Sequence, residues 1–207
     1  MATPPRRIRR SARPAACLAA AAALSAPVPA AAAAPEGAWQ RCQQATAVVE
    51  TLRPDLPEHL MAAMARVESG RAHPQNAAAF AWPWTIRAQG RGRYFPTKAA
   101  AVAEVKRLRR NGVRNIDVGC MQVNLHYHGH AFETVAQAID PVHNVAYAAE
   151  FLRKLRRSTH TWMRAIGYYH SRTPAHYRDY QARVQEAWRR ERRTAETADA
   201  DQIARAD

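Results

Sequence analysis

Apolar side chains return every three or four residues in stretch after stretch of this chain, with helix-starting and helix-stopping residues in between. That spacing buries one face of a helix, so a mainly α fold is the first constraint. Residues 38–53 (AWQRCQQATAVVETLR) carry it. A second stripe, Leu60, Met61, Met64 and Val67, follows Asp55 and Pro57. Those two read as the capping acid and first-turn proline of a helix that Gly70 would stop. Thr97 reads as the N-cap of TKAAAVAEVKRLRRNG, and Gly112 as its end. Asp140 and Pro141 open a longer helix whose apolar positions are Val142, Val145, Ala149, Leu152 and Leu155. A shorter helix covers TWMRAIGYY, and Thr173 with Pro174 opens TPAHYRDYQARVQEAWRR. Residues 71–96 break the pattern: AFAWPWTIRAQGRGRYFPT is rich in aromatics, Pro and Gly and reads as loop plus a small β-hairpin turning near Gly90 to Gly92.

A chain of 207 residues fits one domain with terminal extensions. Residues 1–34 read as a signal peptide. Arg6, Arg7, Arg9, Arg10 and Arg13 form a basic start, and CLAAAAALSAPVPAAAAA is an apolar run of small residues, too short and too broken by Pro27 and Pro29 to span a bilayer. Export to the periplasm follows, without an integral membrane segment. Residues 35–190 form the expected domain, and the charged, nearly aromatic-free tail 191–207 is expected to be disordered. Removal of the leader leaves Cys42 and Cys120, which in an oxidising compartment are either paired or buried free thiols. The formal charge of +14, from 31 Lys+Arg against 17 Asp+Glu, calls for an anionic partner. KRLRRNGVR, Lys106 to Arg114, reads as a solvated helix face able to attract anionic wall polymer. No nucleic-acid-binding motif accompanies the charge, so nucleic acid is not expected.

Four short motifs carry chemistry only in combination: VESG, IDVGCMQVN, AIGYYHS and HYRDYQARV, in that order. Together they resemble the soluble lytic transglycosylase family, over roughly residues 37–190, and IDVGCMQVN resembles a proteobacterial branch of it. Glu68-Ser69 matches the family's helix-ending catalytic Glu and the Ser after it. Gly119, Cys120, Met121, Gln122 and Val123 match its G-L-M-Q-[IV] motif with Cys for Leu. Tyr169 falls on the Tyr of its Y-N-A-G-like motif, with His170 where Asn is usual, and Tyr180, four residues before Val184, fits its last motif. The resemblance implies a lysozyme-like helical domain with a small β-hairpin insertion. It also implies cleavage of the MurNAc–GlcNAc bond of peptidoglycan glycan strands with formation of a 1,6-anhydro sugar. Glu68 would be the single acid/base, and Ser69, Met121, Gln122, Tyr169, His170 and Tyr180 would be substrate-binding. No cofactor or metal is implied. Enzymes of this kind often serve a flagellar, pilus or secretion apparatus.

The residues support that chemistry independently. A glycosidic oxygen must be protonated by an acid that still holds its proton, and an unperturbed Glu, pKa near ~4.3, does not. Desolvation beside Met64 and Val67, and the negative end of a helix, both favour the neutral form. Asp117 is the nearby candidate for a second carboxylate, but an Asp two residues before Gly119 more often caps a turn. His126, His128 and His130 have strand-like spacing, and no Cys or carboxylate completes an evident zinc site. The competing readings are a hydrolytic lysozyme-like muramidase, a non-catalytic wall- or assembly-binding module and a basic nucleic-acid-binding helical protein.

Overall fold

The computed structural model describes residues 37–73 and 79–206, and the leader expected over 1–34 lies outside them. The fold is mainly α. A 3-10 turn, Ala38–Gln40, leads into α1 (Arg41–Leu52), which is followed by α2 (Leu60–Ser69). Two short strands, β1 (Gly70–Ala72) and β2 (Ala79–Ala81), form one antiparallel pair. The hairpin β3 (Thr85–Ala88) and β4 (Arg91–Tyr94) precedes α3 (Lys98–Arg110). Then come β5 (Ile116–Val118), β6 (Val123–Asn124), α4 (Leu125–His128), a 3-10 turn, Gly129–Ala131, and α5 (Val135–Ile139). The chain continues as α6 (Pro141–Thr159), α7 (Trp162–His170) and α8 (Pro174–Ala206).

The caps follow side-chain chemistry. Thr97 Oγ1 accepts from Ala100 N at 3.1 Å, Asp140 Oδ1 lies 3.5 Å from His143 N, and Thr161 Oγ1 accepts from Arg164 N at 3.2 Å. Helix α2 departs from expectation: it begins at Leu60, and Asp55 does not cap it. Glu50 of α1 does so, accepting from Met61 N at 2.7 Å and His59 N at 3.2 Å. Nor is Gly70 a left-handed stop. Its φ is −57°, and it is Gly because a Cβ would run into the Arg66 carbonyl as the chain turns into β1.

Two cores result. The helical one gathers Leu60, Met61 and Met64 of α2 with Val145, Leu152 and Leu155 of α6, Ile166 of α7 and Val184 of α8. Val142, expected on this face, is exposed; Asn144 and Ala148 hold the inward positions instead. The second core packs Ile86, Ile116 and Val118 of the sheet on Val105 and Leu108 of α3 and Ile139 of α5, with Trp82 and Trp84. The sheet runs β4-β3-β5-β6, antiparallel throughout.

Two further expectations are corrected, and one left open is settled. Residues 191–206 are not disordered but continue α8, in keeping with their Ala, Glu and Arg content, and Glu191 pairs with Arg66 of α2 at 2.6 Å. The HYHGH run is helix α4 and a turn rather than a strand, with Asn124 capping it through His126 N at 2.9 Å. Cys42 and Cys120, left open between two states, form a disulfide that ties α1 to the turn after β5.

Candidate active site

Helix α2 packs against α8 and α1. Glu68, its penultimate residue, is half-buried and opens into a groove of about 420 Å³. One wall is the outer face of the sheet. Along β3 and β5 the side chains alternate: Ile86, Ile116 and Val118 point into the core, so Arg87 and Asp117 point the other way. Arg87 and Asp117 are direct cross-strand neighbours, and Asp117 in turn faces Asn124 of β6. The opposite wall comes from the helices: Tyr147 and Phe151 of α6, Tyr169 and His170 of α7, Tyr180 and Arg183 of α8. Tyr127 and His128 of α4 also line the groove.

Glu68 is pushed up to about 7. Burial is the main cause, and the negative charge of Asp117 pushes in the same direction; the Tyr180 hydroxyl, Arg183 and Arg87 pull it back. The Tyr180 hydroxyl lies beside the Glu68 carboxyl, is buried, and reaches no partner at good hydrogen-bond geometry among the described residues. Its ring is stacked on His170, with centroids 4.5 Å apart and planes 6° from parallel. Tyr169 donates to the Met121 carbonyl at 2.9 Å, which fixes the ring against the groove. Burial raises the phenols of Tyr169 and Tyr180 well above their usual range, and the charge of Glu68 adds to it, so both stay neutral donors.

Asp117 is not the turn cap expected from its distance to Gly119. It lies mid-strand, lines the groove, and accepts from Asn124 Nδ2 at 2.6 Å. Burial raises its pKa, while that hydrogen bond and Arg87 restrain the rise.

The turn from Gly119 to Gln122 is braced from several directions. Gly119 has φ +81°, and a Cβ there would stand 2.5 Å from the Asn144 Nδ2. Asn144 is fully buried and makes three bonds: it donates to Val118 O at 3.0 Å and Ala138 O at 2.8 Å, and accepts from Met121 N at 2.9 Å. Gln122 also adopts a left-handed backbone, φ +46°, a conformation costing about 1 kcal/mol in a non-glycine residue. Its Nε2 donates to Gly119 O at 3.0 Å and Thr85 O at 3.2 Å, which orients the side chain at the groove.

Of the residues expected from sequence, Glu68, Gln122, Tyr169, His170 and Tyr180 line the groove together. Ser69 and Met121 do not. Ser69 is buried and donates to Cys120 O at 2.7 Å and Ala65 O at 3.1 Å, joining the end of α2 to the braced turn. The Met121 side chain is fully buried in the helical core, and its backbone serves the site instead. Sequence reasoning missed Arg87, Arg183, Asn144, Tyr127, Tyr147 and Phe151. Arg183 lies three residues after Tyr180, and Phe151 four after Tyr147, so each falls on the helix face of its neighbour, a signal available from spacing.

Among the described residues, no three His, Cys, Asp or Glu side chains come together as a metal-binding group, and no helix is long and apolar enough to cross a membrane. No protein-family model, curated protein or solved structure matches the chain.

Proposed function

We propose that this protein is a lysozyme-like peptidoglycan lytic transglycosylase, exported to the periplasm, with Glu68 as its acid/base. The observation that carries the reading is the half-buried Glu68 carboxyl, held near a pKa of about 7, in an open groove whose walls are rich in tyrosine and amide groups. A group with that pKa is about half protonated at neutral pH, against well under a hundredth for an ordinary Glu, and can serve as acid and then as base.

Glu68 gives its proton to the glycosidic oxygen as the bond from that oxygen to C1 of MurNAc breaks. The carboxylate left behind then takes the proton of the MurNAc C6 hydroxyl, whose oxygen closes on C1. The products are a 1,6-anhydro end and a new GlcNAc hydroxyl, and Glu68 is protonated again. The neutral Tyr180 hydroxyl beside the carboxyl stabilises the ionised intermediate state, and the aromatic wall of Tyr127, Tyr147 and Phe151 offers stacking surfaces for sugar rings.

A second reading, a hydrolytic muramidase, is favoured by one observation: Asp117 shares the groove with Glu68, as a two-carboxylate glycosidase requires. Mass spectrometry of muropeptides released from purified sacculi separates the two. Anhydro ends are expected; reducing ends would assign water as the nucleophile and Asp117 as its partner. Digestion by Glu68→Gln at the wild-type rate would overturn both, and sacculus binding without release of product by either protein would leave a binding module.

A further inference from the structure

We propose that Arg87 and Arg183 form a carboxylate-binding subsite beside Glu68, so that the groove selects a glycan carrying carboxylates over a neutral one. This rests on the glycan-cleaving reading and names the substrate class for it. Arg87 reaches the groove from β3 and Arg183 from α8, so the two cations stand on opposite walls. Both are exposed, and neither makes a hydrogen bond or ion pair to protein among the described residues. Arginines elsewhere behave differently: Arg66, Arg93, Arg107 and Arg153 each hold a carboxylate at 2.6–2.7 Å.

The obvious protein partner is present and does not take Arg87. Asp117 is its cross-strand neighbour, but the bond Asp117 makes is to Asn124. Arg183 lies over the ring of Tyr180, 5.7 Å from its centroid. The pair also flanks the acid itself: Tyr180, whose ring Arg183 faces, carries its buried hydroxyl beside the Glu68 carboxyl.

A guanidinium is a planar fork of donors that matches a carboxylate. Both arginines also act on Glu68, drawing its carboxyl toward ionisation. A substrate carboxylate seated on them neutralises that pull and leaves Glu68 better protonated in the complex than in the free protein. A neutral polymer of the same length leaves the pull in place. Two carboxylate sources share this chemistry, the lactyl group of MurNAc and the carboxylates of the stem peptide.

The test measures equilibrium binding to Glu68→Gln, which prevents turnover. The ligands are peptide-free glycan strands, peptide-bearing strands, and each of these with carboxyls converted to amides. Amidation is expected to weaken binding about three- to tenfold. Arg87→Gln and Arg183→Gln are each expected to reproduce that loss on the charged ligands and add little on the amidated ones. Arg87→Lys and Arg183→Lys should recover part of it. A loss already present on peptide-free strands assigns the lactyl carboxylate, and a loss confined to peptide-bearing strands assigns the stem. Equal affinity for charged and amidated strands, or equal weakening of both by the arginine substitutions, would overturn the subsite. Sacculi left uncut by the wild-type protein, with this discrimination intact, would remove the cleavage reading and leave the subsite standing. Cut sacculi without discrimination would do the reverse.

Discussion

Helix α2 meets a glutamate at each end, Glu50 of α1 at its start and its own Glu68 at its finish, and the two are treated oppositely. At the N-terminal end the Glu50 carboxylate meets two backbone N–H groups, from Met61 and His59, and caps the helix. At the C-terminal end Glu68 meets the negative end of the helix, the charge of Asp117 and a tyrosine hydroxyl. Burial raises both. The amides at Glu50 hold its rise in check, whereas Glu68 reaches about 7. Two chemically identical side chains, ten residues of helix apart, thus divide into a helix cap and a proton carrier: backbone amides offset burial at the first, and the Asp117 charge adds to burial at the second.

The largest test of that division is kinetic. Glu68→Gln is expected to lower the rate of sacculus digestion about 10²–10⁴-fold, the usual contribution of a general acid/base. Glu50→Gln should stay within a few-fold of wild type, and equal losses at the two ends would erase the distinction. The disulfide comes next. Cys42–Cys120 closes a separation of 78 residues and pins the turn that faces the C-terminal end of α2. Cys42→Ala with Cys120→Ala should reduce stability by about 2–4 kcal/mol, measured by denaturant unfolding, with digestion falling as the Gln122 turn loosens.

Stability should also separate the two glutamates by sign. The folded-state pKa of Glu68 lies above its ordinary value of 4.5, so the fold disfavours the ionised form. The destabilisation is absent below about pH 4.5, grows as pH rises, and is complete above about 7. Glu68→Gln should therefore stabilise the protein at pH 8 by about 2–3 kcal/mol and change little at pH 4. Glu50→Ala should destabilise by about 1–2 kcal/mol, because it strips the amides of Met61 and His59 of their acceptor.

Much of this helix was legible in the sequence, and what was not has a common cause. The stripe Leu60, Met61, Met64 and Val67 and the placement of Glu68 follow from local spacing. So do the caps at Thr97 and Asp140, where the acceptor lies three residues from its donor. The true cap of α2 comes from Glu50, nine and eleven residues away, beyond any local rule. Ser69 and Met121 matched motif positions, yet one is tied to the Cys120 carbonyl and the other is packed into the core, contacts that only the tertiary fold creates. Arg87 and Asp117 alternate with core residues in T-I-R-A and I-D-V, so each was identifiable as outward-facing. Their meeting on one wall depends on the pairing of β3 with β5 across some thirty residues of chain.

The smallest expected effect is the most diagnostic of why the C-terminal glutamate differs from the N-terminal one. If Glu68 is the acid, digestion should fall as pH rises through about 7, where the carboxyl gives up its proton. Asp117 pushes that value up, so Asp117→Asn should move the falling limb to lower pH. Arg183 pulls it down, so Arg183→Gln should move the limb to higher pH. Burial, the first cause of the shift, is the same in both variants, so opposite displacements isolate the charges around Glu68 from its desolvation. A profile of kcat/KM against pH reports the free protein and is the measurement to make. Displacement of both limbs in the same direction would mean that the substitutions act through packing, and that burial alone sets the Glu68 proton apart from Glu50.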